Sequence, residues 1–195
     1  MKIRFSPIII ILCFLSLSCS MTMKETRTYS IYVPSENTAV SQGTPLKSIA
    51  LQIHSEDYLN QPYIVERTSP FELDISRYSK WESSPYKIVR REFVRSLSST
   101  GRFKDVKATS STPKDFYILS IELRQFELLK KEGRSFSSLA MDVALRSPEG
   151  AELYNSMILK EKVLIKNDSR ALAEGLSALL TEAIEECRKA IRDNL

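Results

Sequence analysis

The sequence is poor in the residues that most enzymes depend on. Only one histidine, three cysteines and five glycines occur among its 195 residues. A single histidine supports one His-dependent triad at best, and with three cysteines it excludes most metal sites built from His and Cys. Neither GxxxxGK[ST] nor GxGxxG is present, so no glycine-rich loop can cradle a phosphate. No G-x-S-x-G elbow places a serine beside His54. Charge of one sign is also scarce: 28 Lys+Arg stand against 24 Asp+Glu, which gives no footing for a nucleic-acid reading. No cofactor is expected. What is abundant is apolar side chain, 43% of the chain. That suits one globular domain with its own core.

The one long apolar run is at the start, MKIRFSPIIIILCFLSLSC. Lys2 and Arg4 precede about ten apolar residues, Ile8 to Leu17. A bilayer-crossing helix needs about 20, so the run reads as the core of a secretory signal. Ser16, Leu17 and Ser18 lead into Cys19, which resembles the bacterial lipobox, where a small residue precedes a cysteine that is acylated. Leu15 and Leu17 flank Ser16, where a lipobox more often has leucine. The competing readings are a soluble secreted protein cleaved near Ser18 and an uncleaved anchor. Cleavage before Cys19 removes Lys2 and Arg4, lowering the formal charge from +4 to +2. Cys13 goes with the signal. A lipidated Cys19 then leaves Cys187 without a disulfide partner. Ser20 rather than Asp follows the cysteine, which by resemblance to enteric lipoproteins points to the outer membrane.

Residues 1–18 are therefore expected to be a lipoprotein signal peptide, 19–27 a tether, and 28–195 the domain. Within it, Tyr29 to Val33 reads as a strand ended by Pro34, and residues 35–45 as a loop. Ile49, Leu51 and Ile53 alternate with polar or small residues. Short extended pieces follow at Tyr63 to Arg67 and Phe71 to Ile75, split by Pro70. Pro85 opens a helix whose Val89, Phe93 and Leu97 recur four apart, with Ile88 beside them and Gly101 past the end. A short strand is expected from Phe103 to Val106. Tyr117, Leu119, Ile121 and Leu123 then share one face of a strand. Beyond Leu123 the pattern changes phase, which predicts a bulge near Arg124. Leu139, Met141, Val143 and Leu145 form a second alternation, and Met157, Leu159, Val163 and Ile165 a third. Asp168 or Ser169 can cap a final helix with its stripe at Leu172, Leu176, Leu179, Leu180, Ala183, Ile184, Cys187 and Ile191, and with Glu182, Glu185, Arg188 and Lys189 facing water. The fold class is α+β: a single domain, a mostly antiparallel sheet, and two main helices packed on one face.

The polar clusters each have an ordinary reading. His54 is expected on the wet side of its strand, and Cys187 in the core. Glu56-Asp57 and Glu185-Glu186 are sequence neighbours that do not converge on a substrate. Lys87, Arg91 and Arg95 form a basic ridge whose ordinary reading is a solvated helix face, and which could otherwise meet lipid phosphates or an acidic partner surface. Aromatics crowd residues 58–86, and an interface or core role weighs equally for them. The candidate partner interface is Tyr58, Tyr63, Trp81, Tyr86, Lys87, Arg91 and Arg95. No catalytic or metal-binding residue is assigned.

One segment carries a resemblance. Tyr58, Leu59 and Pro62, then Arg67 and Ser69, Glu72 and Leu73, Trp81 with Pro85, and Leu97, Gly101 and Phe103 stand in the order seen in the ABC-type transport auxiliary lipoproteins, the PqiC/YmbA group. The stretch DFYILSIELRQFE is similar to that family's central strand and TYSIYVP to its opening one, although Ile31 and Tyr32 stand where a Tyr-x-Leu is expected. The resemblance spans about residues 28–194. It implies a non-enzymatic, periplasm-facing lipoprotein of an MCE/ABC-type system that moves lipids between inner and outer membranes. Its implied partners are an MCE-domain protein and, through it, an ABC permease and ATPase, with a homo-oligomer compatible. The alternative of comparable size and anchor is an assembly lipoprotein scaffolding an outer-membrane β-barrel, as in lipopolysaccharide export.

Overall fold

The computed structural model describes residues 25–34 and 47–195. The expected signal peptide, Cys19 and the loop at 35–45 lie outside them. Eight strands form one sheet: β1 (Arg27–Tyr29), β2 (Lys47–Ser55), β3 (Tyr63–Ser69), β4 (Glu72–Trp81), β5 (Phe103–Ala108), β6 (Phe116–Lys131), β7 (Arg134–Arg146) and β8 (Glu152–Val163). Among the described residues two α-helices accompany the sheet, α1 (Pro85–Ser99) and α2 (Ser169–Asn194).

The long strand β6 organises the sheet. One of its edges pairs antiparallel with β7, which pairs antiparallel with β8, giving the expected meander. Its other edge is shared. The first half of β6 pairs with β2 and the second with β3, both parallel to it. A turn of 3-10 helix at Asp57–Asn60 separates β2 from β3. Outside them lie β5, parallel to β2, and the β4 and β1 strands, β4 antiparallel to β3 and β1 parallel to β4. The sheet is thus mixed, although its two longest ladders are antiparallel as expected. The register of β6 against β7 shifts between Leu123 and Gln125, so the bulge falls at Arg124. The extra residue inverts the pattern, and Phe126 and Leu128 take over the core side from Leu119, Ile121 and Leu123.

Both helices cover that side. Ile88, Val89, Phe93 and Leu97 of α1 and the predicted apolar stripe of α2 join Ile49, Leu51, Leu139, Met141, Val143 and Leu145 in one core. Pro85 sits in the first turn of α1. Asp168 caps α2, accepting a hydrogen bond from the Ala171 amide at 2.8 Å. The close approach of α2 to β7 depends on Gly175, where an added Cβ would lie 2.4 Å from Ser137 Oγ and 2.9 Å from Ser137 Cβ. Gly175→Ala therefore loses more by overpacking, about 1–3 kcal/mol, than the roughly 1 kcal/mol gained in helix propensity. The expected outcome is a lower urea midpoint at unchanged slope.

Three expectations are corrected. The first strand ends at Tyr29 rather than running to Val33. The Tyr32 amide instead donates to Ser177 Oγ on α2, and Ile31 and Val33 are buried outside the ladder. Their alternation comes from packing against helices, not from strand pairing. In β8 the apolar set Met157, Leu159 and Val163 is exposed, and Ile165 beyond it is too, while Ile158 is buried. Ile158 pairs with Met141 on the core side, so the alternation of β8 marks the uncovered face. On α2, Arg188 is buried rather than facing water, and it pairs with Glu185 at 2.5 Å.

Candidate functional site

The residues singled out in the sequence fall into three settings. The first is structural. Tyr58, on the 3-10 turn, donates through its hydroxyl to Glu127 Oε2 at 2.9 Å and to the Arg124 carbonyl at 3.0 Å. Arg67 on β3 grips the same carboxylate with Nε at 2.5 Å and Nη2 at 3.2 Å. The Glu127 side chain is 0% exposed. Burial, reinforced by the neighbouring Glu127 carboxylate, pushes the Tyr58 hydroxyl far above the ordinary tyrosine range. The hydrogen bond to Glu127 raises the Arg67 guanidinium further still. These three groups fasten the β2–β3 break to β6. Sequence reading missed Glu127, although its signal was present: an acid midway along an apolar strand just past a phase change.

Trp81 also proves structural. It is 1% exposed and meets Phe126 edge-on, with centroids 5.6 Å apart and ring planes at 74°. Trp81 is thereby removed from the candidate partner surface, because no partner can touch it without opening the core. Cys187 is buried as expected, and burial pushes its thiol up to about 12. Such a thiol stays protonated and unreactive at neutral pH.

The second setting is a shallow basic groove between α1 and β5, lined by Lys87, Arg90, Arg91, Val94, Arg95 and Ala108. Its arginines are held in place. Arg90 donates to the Ala108 carbonyl at 3.1 Å, and Arg91 bridges Glu82 at 2.7 Å and Glu92 at 2.9 Å. Arg95 pairs with Glu92 and donates to the Val33 carbonyl. The Arg91 hydrogen bond holds the Glu82 carboxyl below the usual carboxylate range. Tyr86 packs partly against the core at the start of α1, and Tyr63 is exposed at the start of β3. Lys87, Arg91 and Arg95 thus share one groove, with Tyr86 at the start of the same helix. Tyr63 is not among the residues lining it, Tyr58 is engaged with Glu127 and Trp81 is in the core.

The third setting is the uncovered face of the sheet. Residues opposite one another in a ladder share a face, so Leu73 with Arg67, Ile75 with Val65, and Met157, Leu159 and Val163 with Asp142, Ala140 and Phe136 point away from the helices. His54, on β2, stands opposite Glu122 of β6 and is exposed. Glu56 and Glu186 pair with Arg124 and Lys160 at the surface. Among the described residues, no three His, Cys, Asp or Glu side chains are placed to share a metal ion. No described helix is long and apolar enough to cross a membrane.

The described residues thus form an eight-stranded mixed sheet backed by two helices, with the Tyr58–Arg67–Glu127 cluster committed to internal contacts. The sequence matches the family model described as "ABC-type transport auxiliary lipoprotein component" over residues 29–187, and the chain belongs to that family. Membership makes it an auxiliary component of an ABC-type transport system, membrane-associated and facing the periplasm, in a group that is not a known enzyme class. The same fold occurs in protein XCC0632 from Xanthomonas campestris, at TM-score 0.67 and 18% identity over 83% of this chain and 92% of that one. The hypothetical protein CT253 from Chlamydia trachomatis is more distant, at TM-score 0.51 and 11% identity over 76% and 99%. None of the curated proteins searched matches the sequence.

Proposed function

We propose that this chain is a lipoprotein acylated at Cys19, held in the outer membrane and facing the periplasm, and that it serves as a non-catalytic docking subunit of an MCE/ABC-type system moving lipids between the two membranes. The observation that carries this reading is the family match over most of the chain. It is supported by a surface that offers contacts rather than an assembled active site. The partner it would meet is an MCE-domain protein, and through it an ABC permease and ATPase that supply nucleotide chemistry this chain lacks. The docking flank would be Lys87, Arg91 and Arg95 with Tyr86 on the same helix, together with Tyr63 at the start of β3.

The test is affinity capture of the full acylated chain, extracted in mild detergent, with identification of what comes along. An MCE-domain protein lost on charge reversal at Lys87 and serine at Tyr63 is the expected result. A free monomer under every gentle extraction condition would overturn the docking role, and an outer-membrane β-barrel as the captured partner would replace it with assembly of that barrel.

A further inference from the structure

Three turns meet at one end of the sheet. The β3–β4 hairpin closes through Pro70 and Phe71, since Ser69 pairs with Glu72. The β6–β7 hairpin closes through Glu132 and Gly133, both at positive φ, a tight turn that glycine favours. The chain leaving β8 continues through Leu164, whose amide donates to the Ser135 carbonyl, to Ile165. Register places all three at one level, because Arg67 faces Leu129, Leu129 faces Phe136, and Phe136 faces Val163.

This end carries the two most exposed large apolar side chains described, Phe71 at 98% and Ile165 at 99%. They stand on separate turns, roughly 15–20 Å apart by the strand spacing. Lys131 and Arg134 lie between them and Lys166 follows Ile165, all exposed. Glu72, Glu132 and Asp168 offset these cations, so the end is apolar without a strong field. Two fully exposed apolar side chains at one level, with long basic stems able to snorkel beside them, have the chemistry of a bilayer contact.

The chain's own path selects the bilayer over other partners. Strand β1 is parallel to β4, with Arg27 beside Ser79 and Tyr29 beside Trp81. Traced backward from Arg27, the chain therefore heads along β4 toward the Phe71 turn. From the level of Tyr63, near that of Lys80, to Ser69 is six residues, roughly 20 Å at about 3.3 Å each. The eight steps from Cys19 to Arg27 span at most about 29 Å. From Arg27 backward the described chain points toward the plane of the three turns, and the contour length of the tether is enough to reach it.

We infer that Phe71 and Ile165 form a second membrane contact, inserting into the phospholipid interface of the leaflet that holds the anchor and setting the docking flank away from it. The inference rests on the reading of Cys19 as the acylated residue, and the test separates the two. Single-tryptophan probes are made by Phe71→Trp and Ile165→Trp, with Tyr63→Trp as control, all in the Trp81→Phe chain. The full acylated proteins are reconstituted in phosphatidylethanolamine/phosphatidylglycerol vesicles containing brominated acyl chains. Quenching at 71 and 165 about threefold or more above that at 63 is expected. Equal quenching at all three overturns the contact, as does a blue shift at 71 that grows with protein concentration without lipid and so reports a second copy. Mass spectrometry of the same samples reads Cys19. If no acyl chain is found, the anchor reading fails, and the same probes at high lipid still decide the contact: preferential quenching at 71 and 165 supports it and its absence overturns it.

Discussion

Replacing Glu127 by alanine is expected to lower stability by about 3–5 kcal/mol, because it leaves the Arg67 guanidinium and Tyr58 hydroxyl without their shared acceptor inside the sheet. For a chain of this size that corresponds to a fall in Tm of roughly 6–20 °C. The Arg67 side chain retains 20% exposure, so water can partly rescue the cation and the loss falls toward the lower end. Two further variants separate a lost contact from an orphaned charge. Glu127→Gln keeps an acceptor oxygen and should cost about half as much. The double variant Arg67→Met/Glu127→Leu removes both charges and should recover much of the loss, since a buried pair replaced by apolar groups of similar volume is often near neutral. Urea unfolding of the three proteins measures this. A double variant no more stable than Glu127→Ala would show that the cluster stabilises by more than mutual satisfaction.

The second large effect is at Trp81. Trp81→Ala empties a fully buried indole site against Phe126 and should cost about 3–5 kcal/mol. Trp81→Phe should cost far less. It retains a ring at the edge-on contact and removes Nε1, which has no hydrogen-bond partner among the described residues. Tyr63→Ala, at an exposed ring, should change stability by no more than about 0.5 kcal/mol. The pair of results distinguishes core from docking surface: stability should follow residue 81, and partner capture should follow residue 63. Thermal melts beside the capture experiment decide it, and loss of capture in a stably folded Trp81→Phe chain would contradict the assignment.

Local pattern was highly legible in this chain. The helix from Pro85, the α2 stripe through Cys187 and the bulge near Arg124 follow from periodicity, which reports which side of an element is apolar, while residue type alone left the cap open between Asp168 and Ser169. Periodicity does not report what covers that side. Met157 and Leu159 alternate as cleanly as Leu139 and Met141, yet only the second pair lies under a helix. Ile31 and Val33 alternate like a strand and pair with none. The aromatic cluster shows the same limit: Tyr58, Trp81 and Tyr86 are close in sequence to Tyr63 but are turned to a carboxylate, a core ring and a helix base.

The amino-acid sequence by itself determined the element types, the family resemblance and the absence of catalytic motifs, because each of these resides in residues near one another along the chain. Only the tertiary structure decided the strand neighbours of β6, the burial of Glu127 and Trp81, and the gathering of Phe71 and Ile165 at one end. Those depend on contacts between segments up to a hundred residues apart, whose pairing is selected by the packing of the whole sheet against α1 and α2.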